Sequence, residues 1–157
     1  MSYRTLGAVV AAALVLLTLA GCSRREAPEQ RVRLLFEGAE LAAEQKDFSK
    51  LRGYISSRYA DPEGHDRRAI ENLLRLHVLR HESVHLYTRI ASIELSQPGR
   101  AQAVLYVAMA GRPIKTAEEL AGLRADFYRF EFTLAEEDKE WRVTGAAWRR
   151  AEATDFL

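Results

Sequence analysis

The chain has 157 residues, with 23 Lys+Arg against 22 Asp+Glu and a formal charge of +1. That balance excludes the broad basic attraction to phosphate backbones on which nucleic-acid binding rests. With 48% hydrophobic and 29% charged residues the chain is too apolar for a disordered protein and suits one globular domain, and its single cysteine, Cys22, excludes a disulfide within the monomer.

Arg4 gives a short basic start, and Leu6 to Ala20 form an apolar stretch interrupted by Gly7 and Thr18. This is the layout of a secretory signal peptide, short for a membrane span of about 20 residues. It closes in Leu19-Ala20-Gly21-Cys22, where small residues let an extended backbone enter a peptidase cleft and the cysteine offers a thiol for alkylation. The run resembles the lipobox of bacterial lipoproteins. That resemblance implies diacylglyceryl transfer to Cys22, cleavage between Gly21 and Cys22, and acylation of the new amino group. Ser23 in place of Asp implies the outer membrane, facing the periplasm. Loss of residues 1–21 removes Arg4 and no acid, leaving a mature chain of zero formal charge. The expected organisation is a signal peptide over 1–21, a lipidated cysteine and polar tether over 22–30, a folded domain over 31–152 and a tail over 153–157.

Within the domain, Val32, Leu35, Phe36, Ala39, Ala42 and Ala43 recur at helical spacing. Asp47 is placed to cap a short second helix carrying Phe48, Leu51, Tyr54 and Ile55, which Asp61-Pro62-Glu63-Gly64 breaks. Asp66 then caps a third, with Ile70, Leu73, Leu74 and Val78 inward and Arg67, Arg68, Glu71 and Arg75 outward. From about His81 the period shifts towards 2. A strand with Val84, Leu86, Ile90, Ile93 and Leu95 leads through Gln97-Pro98-Gly99-Arg100, a type II turn, into Ala101 to Ala110. Thr116-Ala117-Glu118-Glu119 has capping-box spacing and predicts a short helix. Strands follow over 124–134 and 140–150, joined by a polar turn at 136–139.

Helices followed by antiparallel strands predict an α+β fold, with N-terminal helices packed on a curved four-stranded antiparallel sheet. With its closing strand Glu140-Trp141-Arg142-Val143-Thr144, this order resembles the nuclear transport factor 2-like superfamily over about residues 31–152. The resemblance implies a cone whose sheet wraps the first helix and encloses a pocket. It selects no activity, because enzymes, small-molecule binders and partner-binding modules share the fold.

His81-Glu82-Ser83-Val84-His85 matches the H-E-x-x-H pattern, in which histidines four apart on a helix hold one Zn²⁺. It straddles the change of period, however, and on a strand the two rings would stand roughly 13 Å apart. No histidine follows as a third ligand, so no metal and no cofactor are expected. His77, His81 and His85 read as a polar helix edge, and His65 as an exposed loop residue. Tyr87, Arg89, Tyr106 and Trp148 are the candidate ligand-pocket residues, since aromatic walls around few polar groups suit a small ligand; filling of the core or of a dimer face explains the same residues. No compact Asp/His pair falls on adjacent strands, so no catalytic residues are assigned. The expectation is a lipid-anchored, non-enzymatic envelope module that binds a partner protein or small ligand. A small pocket hydrolase or isomerase and a structural homodimer are the alternatives. Cys22 alone carries a defined role.

Overall fold

The computed structural model describes residues 27–157, so the expected cleavage site at Gly21 and Cys22 lies outside the described residues. Helix α1 runs over Pro28–Glu44 and starts inside the segment read as tether. Proline favours that start because its fixed φ suits a first turn and its missing N–H has no partner there anyway. The helix buries Val32, Leu35, Phe36 and Ala42. It ends in a Schellman turn, with Asp47 N–H donating to the Ala42 carbonyl at 2.8 Å and Lys46 N–H to that of Ala43 at 3.1 Å. Lys46 takes φ +55° there, and its ammonium donates to the carbonyls of His81 and Glu82 at 2.8 and 2.9 Å, tying the end of α1 to the start of the sheet.

Helices α2 (Phe48–Gly53) and α3 (Arg67–Leu79) start at the expected caps, Asp47 and Asp66, each accepting a backbone N–H from three residues on. The inward stripe of α3 is Ile70, Leu74 and Val78, at four-residue steps. Leu73, expected inward, lies about 100° round the helix from Leu74 and is 39% exposed.

Strands β1 (His85–Gln97), β2 (Arg100–Ala110), β3 (Ala125–Glu137) and β4 (Glu140–Arg150) form one antiparallel sheet in the order β1-β2-β3-β4. The expected α+β architecture is the observed one. Gly99 at φ +70° completes the β1–β2 turn, and Asp138 and Lys139, at φ 50° and 68°, make a two-residue β3–β4 loop. The capping box expected at Thr116 does not form. Residues Ala117–Gly122 make a 3₁₀ turn with no side-chain cap from Thr116. The expected tail folds too, as a 3₁₀ turn over Ala153–Phe156 that buries Phe156.

Register shifts between Ile90 and Ser92 in β1, and at Thr133/Leu134 opposite Thr144, bend the sheet. Its concave face wraps α1 around a core that includes Val32, Phe36, Ile55, Leu105, Leu134 and Trp141. The outer edge of β4 is covered by the segment after α2. Val143 N–H donates to the Tyr54 carbonyl at 2.8 Å, Ser56 N–H to Val143 at 2.9 Å and Ala60 N–H to Thr144 at 3.0 Å. Gly145 permits that approach, because a Cβ there would stand 2.7 Å from the Ala60 carbonyl oxygen. Helix α3 lies across the far end of the concave face. His65, just before it, stacks on Trp148 of β4, His77 meets Tyr128 of β3, and Val78 packs with Met109 of β2.

Candidate functional site

Alternation along β3 turns Tyr128, Phe130 and Phe132 to the concave side. Their rings form a ladder with centroids 6.0 and 5.4 Å apart, the second pair nearly parallel at 8°. Phe36 of α1 meets Phe132 at 5.2 Å and Trp148 meets Phe130 at 6.4 Å. Between this wall, α1, α3 and the segment after α2 lies a cavity of about 220 Å³, lined mainly by Phe36, Leu74, Val107, Phe130, Phe132 and Trp148. An engineered apolar cavity of about 150 Å³ accepts benzene, while drug-sized sites run to about 300–1,000 Å³. The space therefore suits a small, mostly apolar molecule.

Few polar groups enter the cavity wall. Glu40 of α1 and Thr88 of β1 both line it, and the Thr88 hydroxyl bonds the Glu40 carboxylate. Burial raises the Glu40 pKa above its ordinary value, with repulsion from Glu44 and Glu37 in the same direction and the Thr88 bond opposing. Tyr59 also lines the cavity. Burial and its bond to Asp61 push the phenol up, so it is a neutral donor.

Tyr59 belongs to a second polar unit behind the wall. Its hydroxyl donates to Asp61 Oδ2 at 3.1 Å, and the His65 backbone N–H donates to Asp61 Oδ1 at 2.9 Å. His65 Nδ1 lies 2.9 Å from Asp61 Oδ2, and the Asp61 side chain is fully enclosed. Burial pushes the Asp61 pKa up, but the bonds from the His65 backbone, the His65 ring and Tyr59 together hold it below its ordinary value. His65 is therefore a half-buried member of this unit, stacked 6.0 Å from Trp148, and no simple exposed loop residue.

The structure divides the four sequence-predicted pocket residues. Trp148 lines the cavity. Leu86 and Thr88 face it from β1, so the pleat sends Tyr87 and Arg89 to the other side of the sheet. There Tyr87 and Tyr106 pack around Phe156, at 6.3 and 5.8 Å, and the Arg89 guanidinium sits 5.6 Å over Tyr106. The H-E-x-x-H run is not helical: α3 stops at Leu79, His81 and Glu82 lie in a bend, and His85 opens β1. Among the described residues, no three His, Cys, Asp or Glu side chains group as metal ligands. His77 and His81 do meet, at 5.9 Å. Burial, then repulsion from His81, lowers the His77 pKa, with Arg80 and Arg150 adding to this and Asp126 opposing.

The sequence pattern did not single out Glu40, Thr88 or Tyr59, and it placed Asp61 in a helix-breaking turn and His65 in an exposed loop. For Glu40 the signal was present, since it stands one helical turn beyond Phe36 on the apolar stripe of α1. No model of a protein family and no curated protein matches the sequence. Solved structures do match. A cystatin-like domain of unknown function from Nostoc punctiforme superposes with a TM-score of 0.60 at 13% identity, over 81% of this chain and 79% of that one. The fold is the nuclear transport factor 2-like, or cystatin-like, cone. A nuclear transport factor 2-like protein of unknown function from Silicibacter pomeroyi matches with a TM-score of 0.56 at 15% identity, covering 78% of this chain and 94% of that one. A Novosphingobium aromaticivorans protein named after scytalone dehydratase matches at 0.63 and 12%, covering 78% and 83%. Identities this low carry the cone and leave its contents to each sequence.

Proposed function

We propose that this chain is a lipid-anchored protein of the bacterial envelope, facing the periplasm, whose cone binds a small apolar molecule bearing one hydrogen-bonding group. It is a binding module rather than an enzyme. The observation that carries this reading is the pairing of an apolar, aromatic-walled cavity of about 220 Å³ with a single carboxyl, Glu40, held in its wall by Thr88. Apolar walls supply affinity and one fixed polar group supplies orientation. The anchor rests on Leu19-Ala20-Gly21-Cys22. Among the described residues no helix is long and apolar enough to cross a membrane, so lipid on Cys22 would provide the attachment.

The test compares naphthalene with 2-naphthol, read by quenching of tryptophan fluorescence from Trp148. A hydroxyl that bonds Glu40 contributes about 0.5–1.5 kcal/mol, so 2-naphthol should bind about 2- to 10-fold more tightly. Glu40→Leu should erase the preference while keeping naphthalene binding. Equal affinities in the parent protein, or binding of neither compound, would sink the reading.

A second reading has one observation in its favour. A carboxyl with a raised pKa in an apolar cavity is also suited to accept a proton from a bound substrate. Chemical conversion of a bound ligand that Glu40→Gln abolishes without loss of binding would select it.

A further inference from the structure

The outer face of α3 carries Leu73, Leu76 and Leu79, which are 39%, 54% and 58% exposed. At three-residue steps they form one stripe, beside the exposed Arg68, Arg75 and Arg80. The helix has one acid, Glu71, and its carboxylate is engaged by Arg52 at 3.2 Å and Arg67 at 2.8 Å. The exposed face therefore presents leucines beside guanidinium groups, one of which, Arg75, lies 5.1 Å over the Phe48 ring, while the exposed acids Asp66 and Glu82 flank the helix at its two ends. The other exposed leucines on a helix, Leu34 and Leu41 of α1, flank the exposed acid Glu37 instead.

We infer that α3 is a bilayer-docking helix, whose Leu73, Leu76 and Leu79 enter the interfacial region of an anionic membrane while Arg68, Arg75 and Arg80 meet its headgroups. Two observations select a lipid surface over a protein groove. From Arg67 to Arg80 four arginines stand against one acid that is already engaged, a basic excess that suits anionic lipid. The chain between Cys22 and α1 is also only Ser23 to Ala27, a reach of about 18 Å. An anchor on Cys22 would therefore hold the whole domain close to a membrane surface. This part of the argument rests on the anchored reading. Docking of α3 would set the cavity beneath it, walled by Ile70 and Leu74 on the opposite face of the same helix, against the apolar phase in which its ligand dissolves. A lipid anchor on a tether leaves the domain free to turn, so a second contact of this kind would fix its orientation.

The test uses the chain from residue 22 on, which contains every described residue, with Cys22→Ser so that no anchor contributes and Leu76→Cys is the sole labelling site for an environment-sensitive NBD fluorophore. Vesicles of phosphatidylglycerol and phosphatidylcholine should shift the emission to the blue, with an apparent affinity about 5-fold or more above that for phosphatidylcholine alone and weakened by 0.5 M NaCl. Adding Leu73→Glu and Leu79→Glu should abolish the shift while 2-naphthol binding and circular dichroism stay as in the parent. Two results would overturn the inference: no shift with anionic vesicles, or a shift that survives the glutamates. A blue shift that grows with protein concentration and needs no vesicles would do the same, assigning the stripe to a second copy of the chain. Failure of the anchored reading has a different signature, namely Cys22 found unmodified in cells, and leaves the vesicle result standing.

Discussion

Gly145→Ala tests how the cone is closed along β4. The new methyl carbon would lie 2.7 Å from the Ala60 carbonyl oxygen and 2.9 Å from Thr133 Oγ1. The nearer atom is backbone and has no rotamer to relieve the clash. Either the 54–60 segment withdraws or the β4 bulge straightens. Withdrawal threatens the bonds Ala60–Thr144 at 3.0 Å and Ser56–Val143 at 2.9 Å, each contributing about 0.5–1.5 kcal/mol. Overpacking alone costs about 1–3 kcal/mol, so a net loss of about 2–3 kcal/mol is expected. Urea denaturation should show it as a midpoint lowered by about 1–2 M, given slopes of about 1–3 kcal/mol/M for small domains. Because the segment carries Tyr54, Ile55 and Tyr59 into the cavity wall, naphthalene binding should weaken as well. Gly53→Ala is the matched control, with nothing within 4 Å of the added carbon. A Gly145→Ala protein within about 0.5 kcal/mol of the parent, the scatter of neutral surface changes, would refute the argument that backbone approach at Ala60 requires glycine.

Glu40→Gln tests the buried carboxyl through pH. The folded-state pKa of Glu40 is raised above its ordinary 4.5, so the stability its protonated form contributes is complete below that value and is lost as pH rises through the folded-state pKa. Glutamine does not titrate, and the stability of Glu40→Gln relative to the parent should climb from about pH 4.5 upward and then level off; thermal melts from pH 4 to 8 that run parallel would contradict it. Lys139→Gly should raise stability by about 0.5–1 kcal/mol, because a side chain at φ 68° bears a left-handed penalty that glycine escapes; the urea midpoint measures it, and a lower midpoint counts against the turn assignment. For the anchor, Cys22→Ala should accumulate as a full-length precursor without lipid, visible as intact mass, and normal processing of that variant would remove the lipobox reading.

What was legible in the sequence was local. Asp47 and Asp66 begin helices because each carboxylate needs only the N–H three residues ahead, and Pro98-Gly99 turns because two residues suffice. The period of α1 is equally self-contained. The face assignment of β1 was not legible, because alternation separates Tyr87 from Thr88 without saying which of them meets the helices. That choice depends on the bulge after Ile90 and on the cover supplied by Phe156, and both are properties of the whole fold. The Asp61–His65 pair stands at a different point on this scale. Its spacing of four is local and visible in the sequence, but Asp61 and His65 sit in a turn between helices, where an acid and a histidine close in sequence are ordinarily both solvated. Glu40 was legible in position, one turn beyond Phe36 on the apolar stripe, but not in role, because a carboxylate there looks like the solvated edge until the sheet closes over it.

Two features of the concave face work against stability, and they occur together. A space of about 220 Å³ beside the aromatic wall forfeits side-chain contacts that a filled core would make. Glu40 adds the cost of a desolvated carboxylate in the wall of the same space. Larger side chains at Ala39 and Ala146, which line the cavity, would fill it, and a leucine at Glu40 would remove the charge; each is a single substitution of ordinary helix or strand formers. Departures from the packing and polarity rules that coincide in one place are expected where a site is kept open for something else. A bound ligand would offset both costs at once, making contact with the aromatic wall and giving the carboxyl a partner beyond Thr88. It would stabilise the fold by about 2.7 kcal/mol at a concentration 100-fold above its Kd. That coupling makes thermal stabilisation by candidate ligands the most direct test of whether the cone binds a small molecule, and of which kind.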